Sequence, residues 1–207
     1  MVKKLGFLLS ACLLSYGQYK AEPAGAPPSE LAAPILAEMQ PAGHKVLSPD
    51  GKVWCELWFV KQPPKGPNTA ESDVTWKTTP PGSVIGAIRW PENGYDRRGQ
   101  PIKPGVYTLR FSMFPINGDH QGVAPQRDFL VMTPAAIDQK LDAVKVFDDL
   151  MNMTKKASGT PHPAVLSMYL VESEFKPGMQ QQGEHDWALM ATVGDAKIAL
   201  TLIGKAE

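Results

Sequence analysis

The stretch that decides the fold is GVYTLRFSMF, residues 105–114, near the middle of the 207-residue chain. Its apolar, aromatic and β-branched side chains are typical of a β-strand, and their imperfect alternation indicates a bend or burial on both faces. A loop over residues 115–126 follows, and RDFLVMT, residues 127–133, predicts a second strand. We expect the two segments to pair in antiparallel fashion across that loop.

Segments of the same kind continue on both sides of this pair. We expect further strands at residues 52–61, 74–78, 83–90, 164–172, 186–193 and 197–203. Because helices do not separate most of these segments, the pattern disfavours a parallel sheet. The sequence therefore predicts a mainly β protein, an antiparallel β-sandwich of jelly-roll or immunoglobulin-like type with about 8–9 strands and one inserted α-helix, with a barrel as the alternative.

The inserted helix is predicted from an apolar stripe. Its members recur at three- and four-residue spacing: Leu141, Val144, Phe147, Leu150 and Met151. Such spacing is typical of an amphipathic helix that packs against a sheet. Lysines and a glycine within residues 155–159 indicate where this helix ends.

The N-terminus has the pattern of an export signal. Residues 1–4 carry two lysines, residues 5–14 are apolar, and small residues precede Gln18, which together predict a signal peptide over residues 1–17. The segment LSAC at residues 9–12 also resembles the lipobox of bacterial lipoproteins, in which Cys12 would carry the lipid. The expected location is the periplasm, with a lipid anchor through Cys12 as the alternative.

Two further regions follow the signal peptide. Residues 18–43 are rich in proline and alanine and predict an extended tether, because proline interrupts helices repeatedly there. Residues 44–207 then form a single domain. Cys55 is the one cysteine left after cleavage near Gln18, so this domain has no internal disulfide and depends on core burial.

Composition disfavours several functional classes. The chain carries 21 basic and 21 acidic residues, and this balance lacks the excess positive charge of a nucleic-acid-binding protein. No apolar run reaches the roughly 18 residues that span a bilayer. The sequence also lacks a nucleophile elbow, a phosphate-binding glycine loop and the common zinc motifs.

Three histidines are candidate metal ligands. His120, His162 and His185 lie in loops or beside strand ends, where a sandwich places functional groups. If these loops met at one end, the imidazoles and a carboxylate such as Asp119 or Asp186 could bind a divalent transition metal. Turn capping is the competing interpretation, since the three histidines do not have metal-ligand spacing along the chain.

Charged residues near the central strands form a second candidate group. Antiparallel pairing would bring Arg110 or Arg127 near Asp128 or Asp119, as a structural ion pair or as a grip on a ligand. The loop cluster predicted to bind a ligand consists of Asp119, His120, Arg127, Asp128 and His162.

The five tryptophans have two interpretations. Trp54, Trp58, Trp76, Trp90 and Trp187 lie mostly within apolar strands, which favours core packing. Stacking against a sugar is the alternative if several of them face outward.

Two phrases carry a resemblance to other proteins. Residues 103–135 (KPGVYTLRFSMFPINGDHQGVAPQRDFLVMTPA) and 158–172 (SGTPHPAVLSMYLVE) resemble uncharacterised exported β-sandwich proteins of Gram-negative soil bacteria, of acidobacterial type. The GxYTL phrase at residues 105–109 is distantly similar to other periplasmic proteins of unknown function. The resemblance implies a β fold and export, and it implies no activity.

The leading hypothesis is an exported, non-enzymatic module that binds a small molecule, a glycan or a cell-envelope protein. The alternative is a metal-dependent periplasmic hydrolase or oxidoreductase that uses His120, His162 and His185. A purely structural envelope protein is the third hypothesis.

Overall fold

The computed structural model describes residues 18–116, 126–172 and 174–206. Its strands are β1 (Lys20–Ala24), β2 (Gly43–Leu47), β3 (Val53–Phe59), β4 (Val84–Trp90), β5 (Gly94–Tyr95), β6 (Pro101–Ile102), β7 (Gly105–Met113), β8 (Asp128–Pro134), β9 (Val165–Leu170), β10 (Gly178–Gln182), β11 (Asp186–Val193) and β12 (Ala196–Ile203). The helices are α1 (Ala33–Leu36) and α2 (Phe147–Ser158).

The main sheet contains ten of these strands, and each pairs with its neighbours in antiparallel fashion. The order is β1-β2-β3-β4-β7-β8-β9-β12-β11-β10, and β5 and β6 form a separate two-stranded ribbon. The two edge strands, β1 and β10, lie next to each other, so the sheet nearly closes into a barrel. The mainly β, antiparallel class is therefore confirmed.

Strand β9 explains why the sheet is continuous. Its first half pairs with residues 129–131 of β8, and its second half pairs with residues 198–200 of β12. A strand shared in this way turns a corner between two parts of a sheet. The main sheet nearly closes into a barrel and is not clearly the expected sandwich of two separate sheets.

The core lies inside the barrel, and alternation along the strands decides which side chains enter it. In β8, Leu130 and Met132 belong to the interior cluster, whereas Phe129 and Val131 lie on the outer face beneath α2. Both faces of this strand are buried, because the helix covers the side that would otherwise face water.

Helix α2 begins later than its apolar stripe suggests. The stripe starts at Leu141, but the helix starts at Phe147 and ends at Ser158. The carbonyls of Lys140 and Asp142 accept hydrogen bonds from a buried arginine of β7, which holds this part of the chain extended. The helix ends within the predicted region, and Gly159 caps it with a φ of 67°, the left-handed conformation that glycine adopts without strain.

Residues 18–43 are part of the barrel, and the expected tether is corrected. Strand β1 pairs with β2 along its whole length. Leu31, Ile35 and Met39 are buried in the main core. The prolines that suggested an extended linker are compatible with this packing, because an edge strand tolerates proline and a helix accepts it in the first turn.

Residues 74–78 do not form the predicted strand. Their backbone N–H groups at Thr75 and Trp76 donate to the carboxylate of Asp128 instead of to a neighbouring strand. In the part of the chain that the structure describes, no helix is long and apolar enough to cross a membrane.

Candidate functional site

Two of the predicted site residues, Asp119 and His120, lie outside the described residues. The predicted convergence of His120 with His162 and His185 stays a prediction for this reason. The structure does describe the other four candidates, which lie in three different environments: Arg127, Asp128, His162 and His185.

Asp128 is completely buried and belongs to the scaffold. Its Oδ2 accepts hydrogen bonds from the backbone N–H of Thr75 at 2.6 Å and from the Thr75 hydroxyl at 2.8 Å. Its Oδ1 accepts the backbone N–H of Trp76 at 3.0 Å. The carboxylate therefore fastens residues 74–78 to the start of β8, and its oxygens are occupied by the protein.

Arg127 also makes hydrogen bonds that hold parts of the chain together. Its Nε donates to the carbonyl of Phe114 at 2.7 Å, and its Nη1 donates to the carboxylate of Glu71 at 2.8 Å. Its backbone N–H donates to the carbonyl of Asp73 at 2.8 Å. These bonds close the base of the loop that joins β7 to β8 and tie it to residues 71–73.

Arg110 forms the structural ion pair that its position in an apolar strand indicates, but with Asp138. The Nε and Nη2 atoms donate to the two carboxylate oxygens at 2.8 and 2.7 Å. The remaining N–H groups donate to the carbonyls of Gly82, Lys140 and Asp142. All five guanidinium donors are satisfied, so neither Asp128 nor Asp119 is needed as a partner.

The sequence pattern does not identify Asp138 as the partner of Arg110, because the two residues are distant in the chain. It lies in the segment after β8, about one turn beyond Pro134, where an acid ordinarily faces water. Its burial follows from the guanidinium of Arg110 and the hydroxyl of Thr108, which both donate to it.

The described histidines do not converge with other metal ligands. The side chain of His185 is 80% exposed, and its Nε2 lies 3.9 Å from a carboxylate oxygen of Glu184. Within residues 18–116, 126–172 and 174–206, no group of three His, Cys, Asp or Glu side chains lies close enough to hold a metal ion.

His44 differs from the other described histidines because it is half-buried. Its ring lies 5.9 Å from that of Phe59, centroid to centroid. Burial lowers the pKa of this imidazole, since desolvation disfavours the charged form. The lowered pKa favours the neutral ring, which packs against Phe59 of the sheet.

His162 lies at a cavity of about 300 Å³ between α2 and the outer surface of the barrel. We call this cavity the α2 cleft. Its floor is formed by the rings of Phe114 and Phe129, which stack with centroids 4.3 Å apart and planes 12° apart. Met151 and the exposed Phe147 of α2 form one wall.

The rim of the α2 cleft is polar and carries more positive than negative charge. Among the described residues, Arg98, Lys155 and His162 line it, together with a single acidic residue, Asp148. Two cationic side chains against one carboxylate give a formal charge of +1 when the imidazole is neutral. The rim therefore attracts an anion.

Local hydrogen bonds of the backbone place Arg98 and His162 at this rim. The buried carboxylate of Asp96 accepts the backbone N–H groups of Arg98 at 3.0 Å and Gln100 at 2.8 Å. Its second oxygen accepts the N–H of Val165 at 3.2 Å, which fixes the loop between β5 and β6 to β9. The backbone N–H of His162 donates to the Thr160 hydroxyl at 3.0 Å, and this hydrogen bond fixes the turn that carries the exposed imidazole ring.

Two other cavities open elsewhere on the described surface. One, of about 350 Å³, lies beside residues 75–78. The other, of about 360 Å³, lies between Trp54, Tyr95 and the C-terminal residues 202–205.

Comparisons with known proteins add no relative. The chain matches no protein-family model, no curated protein and no solved structure. Functional inference therefore depends on the geometry of the chain itself.

Proposed function

We propose that this protein is an exported, non-enzymatic binding module that takes a small amphipathic anion in the α2 cleft. The observation that carries the proposal is the combination of a stacked aromatic floor with a cationic rim around a cavity of about 300 Å³. Export rests on residues 1–17, whose basic head and apolar middle predict a signal peptide.

The shape and lining of the cleft fit a small ligand. Binding pockets are mostly apolar and contain a few placed polar groups, with volumes from about 300 Å³ upward. The rings of Phe114 and Phe129 line the cleft, and the exposed ring of Phe147 offers an apolar surface for the body of the ligand. A cavity at the lower end of this range suits a single aromatic ring or a short alkyl chain.

The charge of the rim selects the polar group of the ligand. Arg98 presents a planar fork that matches a carboxylate, and Lys155 adds a second positive charge. Asp148, on the first turn of α2, disfavours ligands that carry a high negative charge. The best match is an aromatic or short-chain monocarboxylate.

The test uses benzoate and hexanoate as probes, with benzyl alcohol and hexanol as neutral analogues. We expect the acids to bind in isothermal titration calorimetry with a Kd of the order of 1 mM, and the alcohols at least tenfold more weakly. Arg98→Gln and Lys155→Gln should each weaken binding of the acids several-fold while leaving the melting temperature of the free protein nearly unchanged.

Lys156→Gln is the matched control, because this neighbouring lysine lies in the same last helical turn but does not line the cleft. Its affinity for benzoate should equal that of the unchanged protein. The proposal is overturned if the acids do not bind at about 10 mM, or if Lys155→Gln and Lys156→Gln have the same effect.

A further inference from the structure

The cavity beside Trp54 and Tyr95 has the features of a second binding site. It measures about 360 Å³ and is lined by these two rings and by residues 202–205. The ring planes are 21° apart with centroids separated by 6.5 Å, and half of the surface of Tyr95 is exposed. We call Trp54 and Tyr95 the aromatic platform.

Trp54 is held in a fixed orientation before any ligand arrives. The edges of Trp90 and Tyr19 meet it at centroid distances of 5.8 and 6.4 Å, with planes 89° and 73° apart. Its Nε1 donates to the carbonyl of Leu202 at 3.4 Å. Because the ring is already immobilised, a ligand that stacks on the platform loses little additional side-chain entropy.

An ion pair lies beside the platform. Arg97 and Asp186 join through two contacts of 2.8 and 2.7 Å, and their side chains are 14% and 26% exposed. Gly204 separates this pair from the cavity, and a Cβ there would collide with the carboxylate of Asp186. The glycine therefore lets the polar pair approach the wall of the cavity closely.

The charges around this cavity balance. Arg97 and Asp186 neutralise each other, and the carboxylate of Asp96 is buried and fully hydrogen-bonded, which leaves the exposed Lys205 as a single donor at the rim. A balanced rim gives no preference for a strongly charged ligand. It does offer the Lys205 ammonium as a hydrogen-bond donor beside an apolar aromatic face.

We propose that the aromatic platform binds a neutral sugar ring. A pyranose has a C–H face that packs against an aromatic ring, whose π surface carries a partial negative charge. Its hydroxyl groups can accept hydrogen bonds from the Lys205 ammonium at the rim of the cavity. This site is separate from the α2 cleft and takes a different class of ligand, so it does not depend on the function proposed above.

The test titrates maltotriose, cellotriose and chitotriose into the whole protein and follows tryptophan fluorescence and amide chemical shifts. At least one trisaccharide should bind with a Kd of the order of 1 mM. Tyr95→Ala should weaken that binding at least tenfold, and Tyr95→Phe should retain it because the stacking ring remains. Glucose distinguishes recognition of one ring from recognition of a chain.

Two controls separate this proposal from the first one. Phe147→Ala removes an exposed aromatic ring of the α2 cleft and should leave sugar binding unchanged. Tyr95→Ala should keep the affinity for benzoate and nearly the melting temperature of the free protein. The proposal is overturned if none of the trisaccharides binds at about 10 mM, or if Tyr95→Ala binds the sugar as tightly as the unchanged protein.

Discussion

Arg110 and Asp138 form a buried ion pair that fastens the segment after β8 to the outer face of β7. The side chain of Arg110 is fully buried and that of Asp138 is 2% exposed. Removing two charges from water is costly, and the pair persists because every guanidinium donor has an acceptor. The pair therefore specifies where this segment lies more than it adds net stability.

Breaking this pair on one side should be strongly destabilising. Asp138→Ala leaves a buried guanidinium without its counter-charge, and we expect the free energy of unfolding to fall by about 3–5 kcal/mol. Urea denaturation measures this loss. Replacing both residues, as Arg110→Met with Asp138→Leu, should cost less than the sum of the single changes because no unpaired charge remains.

Glu30→Ala is the control for the Asp138 experiment, since Glu30 pairs with Arg89 at 3.4 Å on the surface. Its loss should stay below about 1 kcal/mol, as for other exposed pairs. An equal loss for Asp138→Ala and Glu30→Ala would contradict the scaffold role of the buried pair.

At the scale of elements, β8 positions a neighbouring segment through its first residue. Asp128 receives three hydrogen bonds from Thr75 and Trp76, which lie in a part of the chain without strand partners at those N–H groups. The strand and the segment therefore form one unit, even though many residues separate them in sequence.

Asp128→Asn should loosen this unit in the absence of any ligand. The side-chain NH₂ of asparagine is a hydrogen-bond donor, and it would face the N–H groups of Thr75 and Trp76, which are donors too. Each N–H left unpaired costs about 1–3 kcal/mol. We expect a lower melting temperature and faster hydrogen exchange at the amides of Thr75 and Trp76. Asp149→Asn, on the exposed first turn of α2, should change stability by less than about 1 kcal/mol.

The strongest strands could be predicted from sequence, and the edge strands could not. β7 and β8 are apolar on both faces, so their composition alone indicates strands. β1 contains a proline and two charged residues, and β10 contains three glutamines, so pairing with a neighbour determines their conformation.

The sequence predicts which types of residue lie at the candidate site, but it does not predict their hydrogen-bond partners. Asp128 was expected to contact a ligand because it lies at a strand end, yet its partners lie in residues 74–78, which periodicity assigns to a strand of their own. His162 does line a cavity. The aromatic floor beside it comes from Phe114 and Phe129, whose stacking depends on the pairing of β7 with β8.

At the scale of the whole molecule, the N-terminal segment completes the barrel. Strand β1 covers the edge of β2, and Ile35 is fully buried in the main core. A chain without these residues would expose a strand edge and a part of the core to water.

Deleting residues 18–42 should therefore unfold the protein or abolish its cooperative transition, whereas a detachable tether would leave the melting temperature unchanged. Ile35→Ala provides a milder variant and should cost about 2–5 kcal/mol. Thermal unfolding followed by circular dichroism measures both. Unchanged melting of the truncated chain would show that the segment does not support the fold.

The meeting of β1 with β10 also bears on the order in which the molecule is built. Strands β1 and β10 belong to remote parts of the chain, so the two edges of the sheet meet only after a large loop has closed. Contacts between such remote stretches slow folding, because the entropy cost of closing a large loop comes before the stabilisation that the contacts provide. Until β1 and β10 meet, both strand edges are open to pairing with other chains.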